Sequence, residues 1–157
     1  MNTPIERHHS NTRMSKIVKH GGVVYLCGQT SGGTPFVELQ DQAREVLDRI
    51  DALLKEAGTD KGRLLTATIY LKSMSDFAKM NECWEQWLTG SPVPARTTVE
   101  VALASESLLI EITVSAAACC AVDGVPGFSG PPSVGGMPPP RRSDATCRRR
   151  WRDRGAG

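Results

Sequence analysis

The chain predicts an α+β domain of two layers, a mixed sheet with two helices packed on one face. Three observations lead there. Residues 37–57 place apolar side chains at helical spacing, and residues 75–88 do so again. The segments around them alternate apolar and polar residues with a period of two. One apolar sheet face then suffices to bury both helix stripes, leaving a second face rich in threonine, serine and charge for water or another subunit.

The elements follow in order. Residues 5–10 read as a short edge strand. Lys16–His20 and Val23–Cys27 read as strands joined at Gly21-Gly22, because a glycine pair supplies the positive φ of a tight hairpin turn. The run Gly28-Gln29-Thr30-Ser31-Gly32-Gly33 is too glycine-rich for regular structure and is expected to be a loop. Leu39, Ala43, Val46, Leu47, Ile50, Leu53, Leu54 and Ala57 form the stripe of the first helix, and Gly58 suits its left-handed C-terminal cap.

Leu65, Ala67, Ile69 and Leu71 then share one strand face, with Thr66, Thr68 and Tyr70 on the other. Ser75 is expected to cap a second helix whose stripe is Phe77, Met80, Trp84, Trp87 and Leu88. Gly90, Pro92 and Pro94 end it. A strand over 96–103 puts Thr97, Val99, Val101 and Leu103 on one face and Arg96, Thr98, Glu100 and Ala102 on the other. In the last strand Leu108, Ile110, Ile112, Val114 and Ala116 alternate with Leu109, Glu111, Thr113, Ser115 and Ala117.

Composition divides the chain. Residues 1–120 carry 12 Lys+Arg and 14 Asp+Glu, whereas 121–157 carry 7 Arg and 3 Asp. The pI of 8.3 thus describes the C-terminal part, and it is no argument for nucleic acid as the main partner. Residues 121–157 also hold 7 Gly and 6 Pro, so they read as a disordered tail after a domain over 1–120. Five cysteines, none in a C-x-x-C pair, and no histidine cluster give no metal site. The odd cysteine count and the lack of an apolar leader point to a reducing cytoplasm, and no apolar run is long enough to span a membrane.

Chemistry centres on two side chains. Arg96 follows Pro94-Ala95, and a guanidinium grips a planar carboxylate with two parallel hydrogen bonds. The plainer reading pairs it with Glu100. Glu111 lies between Ile110 and Ile112 on the polar face, where a carboxylate near a bound substrate orients a water or exchanges a proton. The plainer reading is a half-exposed strand glutamate. The 28–33 loop offers free amides and the Ser31 hydroxyl to a carboxylate. Cys27, Cys83, Trp84 and Trp87 read as packing, and no Ser-His-Asp set is available.

Residues 13–118 resemble the RidA/YjgF family of reactive-imine deaminases. The resemblance rests on Val24-Tyr25-Leu26-Cys27-Gly28-Gln29, Gln42-Ala43-Arg44 and Thr66-Ala67-Thr68-Ile69-Tyr70-Leu71-Lys72. It continues in Asp76-Phe77-Ala78-Lys79-Met80-Asn81, Pro94-Ala95-Arg96-Thr97-Thr98-Val99-Glu100-Val101 and Ile110-Glu111-Ile112. It implies a chorismate-mutase-like fold, a homotrimer with a site in each cleft between subunits, and no metal or organic cofactor. The implied activity is hydrolysis of 2-imino or enamine acids to 2-oxo acids and ammonia. Arg96 takes the family's substrate-binding position and Glu111 the water-positioning one, with the Thr98 backbone, Gly28, Ser31 and Asn81 completing the site. Archetypal deaminases carry a tyrosine where this chain has Met14. The expectation is that Arg96 and Glu111 converge on one pocket roomy enough for a small organic acid and a water. A non-catalytic carboxylate-metabolite binder on the same scaffold and an RNA-binding role of the arginine-rich tail are the alternatives.

Overall fold

The computed structural model describes residues 4–119. Eleven elements follow from this stretch. Strands β1 (Glu6–Ser10), β2 (Ser15–His20), β3 (Val23–Leu26) and β4 (Gln29–Thr30) precede helix α1 (Leu39–Glu56). Strand β5 (Leu64–Leu71), helix α2 (Phe77–Trp87), and strands β6 (Ala95–Glu100) and β7 (Ile110–Ala117) complete the order, with short 3-10 turns at Lys61–Arg63 and Met74–Asp76. They form one mixed sheet in the order β1-β2-β3-β7-β5-β6, and β4 pairs with β7 off that path. Among the described strands only β5 and β6 run parallel, because α2 carries the chain back between them. The expected tail over 121–157 lies outside the described residues. Among the described residues no helix is long and apolar enough to cross a membrane.

Both helices lie on one sheet face. The alternate residues Ala67, Ile69 and Leu71 of β5 and Ile110, Ile112, Val114 and Ala116 of β7 are buried there with Val46, Ile50 and Leu54 of α1 and Met80 and Trp84 of α2. Each such aliphatic side chain contributes roughly 1.5–3 kcal/mol when removed from water. The opposite face, which we call the open face, carries Thr66, Thr68, Tyr70, Glu111, Thr113 and Ser115, and Thr66 and Ser115 bond hydroxyl to hydroxyl across it at 2.6 Å.

The turns obey backbone chemistry. Gly21 and Gly22 have φ of +58° and +78°, the double positive φ that the hairpin requires. Gly58, at φ +79°, ends α1 in a Schellman arrangement, with Thr59 N–H donating to Leu54 O at 2.9 Å and Gly58 N–H to Lys55 O at 3.1 Å.

Four expectations are corrected. Gln29 and Thr30 form a short strand inside the expected loop, since Gln29 pairs with Ile112 and Thr30 with Glu111. Leu65 is 44% exposed, because the register shifts between Leu64 and Thr66 and turns it away from the core. Ser75 is not the cap: Ser73 Oγ accepts from Ser75 N–H at the start of the 3-10 turn, and α2 begins after Asp76 without a side-chain cap. Strand β6 stops at Glu100 rather than 103.

The helical spacing of apolar residues left one buried position unread. Gln42 is 1% exposed on the inner face of α1. Its Nε2 donates to Phe36 O at 3.0 Å and Ser107 O at 2.8 Å, while its Oε1 accepts from Leu109 N–H at 2.9 Å. One amide thereby pins the approach to α1 and the segment that leads into β7. Gln42→Met, equal in length and unable to make these bonds, is expected to cost at least about 2 kcal/mol, since buried backbone groups lose their partners. Urea unfolding with an unchanged slope and a lower midpoint is the expected result.

Candidate active site

The two faces of the sheet divide the candidate residues into two groups. The first surrounds Glu111. This residue pairs with Thr30 on β4 and Tyr70 on β5, so its side chain rises from the open face. Its neighbour is Gly28, where an added Cβ would overlap the Glu111 carboxylate oxygen. Glycine is required there for contact rather than for φ. The carboxylate opens into a cleft of about 340 Å³ lined by Gly28, Tyr70, Thr113 and the Val101–Ala104 segment. Thr113 Oγ1 is committed to Leu26 O at 2.9 Å. Tyr70 was legible as an open-face residue from strand alternation, yet only the structure sets it beside Glu111.

The second group surrounds Arg96. Parallel pairing matches Arg96 with Ala67, Thr98 with Ile69 and Glu100 with Leu71. Ala67, Ile69 and Leu71 point toward the helices, so Arg96, Thr98 and Glu100 do as well. Arg96 Nη1 donates to Asn81 Oδ1 of α2 at 2.9 Å, and its guanidinium carbon stands 5.7 Å from the centroid of the Trp84 ring. Glu100, the plainer partner for Arg96, instead accepts from Met74 N–H at 2.7 Å. Thr98 Oγ1 is buried with no hydrogen-bond partner among the described residues.

Arg96 and Glu111 therefore do not meet within one chain. They project from opposite faces of the sheet, and the convergence expected of them in a cleft between subunits is not something a single copy displays. The register Thr98–Ile69–Ile112 also leaves Thr98 one whole strand away from β7, about 10 Å by normal strand spacing, so its amide and the Glu111 carboxylate of the same chain do not hold one water. The structure does bring Gly28 to Glu111 and Asn81 to Arg96. Ser31 joins neither pair: it is buried, and its carbonyl accepts from Thr34 N–H at 3.1 Å and Thr34 Oγ1 at 2.7 Å in a turn. Met14 lies in the β1–β2 turn, where its N–H donates to Asn11 Oδ1 at 3.0 Å.

Other chemistry finds little material. Among the described residues no group of three His, Cys, Asp or Glu is placed to hold a metal ion. Cys83 is buried in α2, and burial pushes its thiol up, with Glu82 and Asp41 adding to the rise and Arg44 opposing it.

A sequence model for the family described as Endoribonuclease L-PSP matches residues 5–118. The chain belongs to this family, the RidA/YjgF group. A RutC family protein of Haemophilus ducreyi is 35% identical over 116 residues, covering 72% of this chain and 96% of that protein. The RutC family protein YoaB of Escherichia coli is 33% identical over 113 residues, covering 72% of this chain and 97% of its own. Among solved structures, a YjgF-family protein of Neisseria meningitidis superposes with a TM-score of 0.70 at 33% identity, over 76% of this chain and 98% of that one. The yjgF gene product of E. coli gives 0.64 at 29% identity, over 69% and 90%. The two-layer arrangement seen here is thus the RidA/YjgF fold.

A raised thiol pKa means less thiolate at a given pH, so Cys83 is expected to resist alkylation. Iodoacetamide at pH 8 should label exposed Cys119 well before Cys83, with peptide mass spectrometry as the readout.

Proposed function

We propose that this RidA/YjgF protein hydrolyses reactive 2-imino and enamine acids to 2-oxo acids and ammonia, at clefts formed between copies of the chain. The observation that carries the reading is the separation of Arg96 from Glu111 onto opposite faces, each with its own orienting partner and neither fully buried. Half a site on either face becomes a whole site when one copy's helix-side edge meets another copy's open face. Exposed apolar side chains support such a contact: Tyr25 is 50% exposed and Val99 39% exposed, and both lie on the open face. A closed ring of three copies, each lending Arg96 to the next, fits this heterologous contact.

The mechanism needs few groups. Arg96 of one copy holds the substrate carboxylate with its guanidinium fork. Glu111 of the other directs a water at the C=N carbon and takes its proton as the C–O bond forms. From the protonated imine this gives a neutral carbinolamine, whose nitrogen then takes that proton back from Glu111; as the C–N bond breaks, the hydroxyl passes its remaining proton to Glu111, so that ammonia leaves and the 2-oxo acid's C=O forms. Imines already hydrolyse readily in water, so positioning and one carboxylate suffice. A ribonuclease reading, suggested by the family description, draws no support from the charge of residues 1–120, which carry 12 Lys+Arg against 14 Asp+Glu.

The decisive experiment mixes variants. Arg96→Ala and Glu111→Gln, each alone, are expected to abolish accelerated ammonia release from a freshly generated 2-imino acid. Unfolded together and refolded, they should regain activity, because about a quarter of clefts then combine a native Arg96 with a native Glu111 by random assortment. Full activity of either single variant, or no recovery in a mixture that sediments as a trimer, would overturn the reading. Acceleration missing from the wild type itself, with carboxylate binding retained, would favour the non-catalytic binder. Arg96→Lys keeps the charge and loses the fork, so KM should rise at least about tenfold.

A further inference from the structure

We propose that Trp84 is a positioning residue for Arg96, its indole lying against the guanidinium so that the fork is presented to a carboxylate in one orientation. The inference rests on the reading of Arg96 as the carboxylate grip and adds a residue to it. Arg96 projects from an exposed edge strand, where a long side chain ordinarily samples many rotamers and must be ordered when a ligand arrives. Two contacts restrain it beforehand. Asn81 Oδ1 accepts from Nη1 at 2.9 Å, and the Trp84 ring centroid is 5.7 Å from the guanidinium carbon, within cation–π range. Asn81 and Trp84 are three residues apart on α2, so they share a face and act on the arginine together.

The ring is itself anchored. Trp84 is 5% exposed and packs on Trp87 at 5.3 Å between centroids, tilted by 53°. Trp87 Nε1 donates to Asp51 Oδ2 of α1 at 2.8 Å, and Lys61 Nζ donates to Trp87 O at 2.7 Å while standing 5.5 Å from the ring. The guanidinium thus rests on a surface tied to α1 and to the turn before β5. A ring contact also uses none of its five N–H donors, so among the described residues only the bond to Asn81 draws on that supply.

The test compares wild type, Trp84→Phe and Trp84→Leu in the full chain. Calorimetry gives the affinity for 2-oxobutanoate, a stable carboxylate of the product class. The side-chain N–H signal of Arg96 in nitrogen-15 NMR reports whether a ring current acts on the guanidinium. Wild type should show that signal displaced from its free position, Trp84→Phe should keep part of the displacement, and Trp84→Leu should lose it with a two- to five-fold weaker affinity. An undisplaced wild-type signal overturns the proposal whether or not the variants fold. So does unchanged affinity in Trp84→Leu, or weaker affinity with the Arg96 signal unmoved. Wild-type affinity in Arg96→Ala would instead sink the carboxylate-grip reading, and this inference with it.

Discussion

Alternation along β7 is the constraint on which the rest of the molecule depends. Ile110, Ile112, Val114 and Ala116 enter the core under α1, which obliges Glu111, Thr113 and Ser115 to face the other way. A slip of one residue would bury a carboxylate and expose four apolar side chains. Desolvating an unpaired carboxylate costs several kcal/mol, so the register is strongly enforced. Pairing with β3, β4 and β5 adds a second constraint, because β7 is held on both edges. Glu111 is thus a polar residue on one of the most firmly located strands of the fold.

Arg96 sits at the opposite extreme. Strand β6 is an edge strand with almost no buried position, so its own pattern of residues does not reveal which face is which. Apolar Val99 and Val101 suggest that their side of the strand is the inner one. Parallel pairing with β5 decides otherwise, turning Val99 to the open face with Tyr70 and Arg96 toward α2. The arginine lies at the margin of the helical layer, close enough to touch Asn81 and Trp84 yet still exposed.

On the proposed reading, these two placements equip a small domain for chemistry between copies. A carboxylate backed by glycine and a guanidinium steadied by helix side chains are each prepared in advance. Each has its local support within one chain. The Val101–Ala104 segment lines the Glu111 cleft, and the chain that follows it is tied at Ser107 and Leu109 to Gln42.

By itself the sequence determined the two helices and the longer strands, both helix stripes, the Gly21-Gly22 hairpin, the Gly58 cap and the open-face position of Glu111. Each depends on local spacing or backbone freedom, which neighbours in sequence express. The family residues Arg96, Asn81, Gly28 and Glu111 were legible by resemblance, although their grouping was not. Tertiary structure alone decided that Gly28 belongs with Glu111 and Asn81 with Arg96, that Leu65 turns outward, and that Gln29 and Thr30 join the sheet. It also decided the face of β6. Those outcomes depend on which strands pair and in what register, a relation between distant segments that no local periodicity contains.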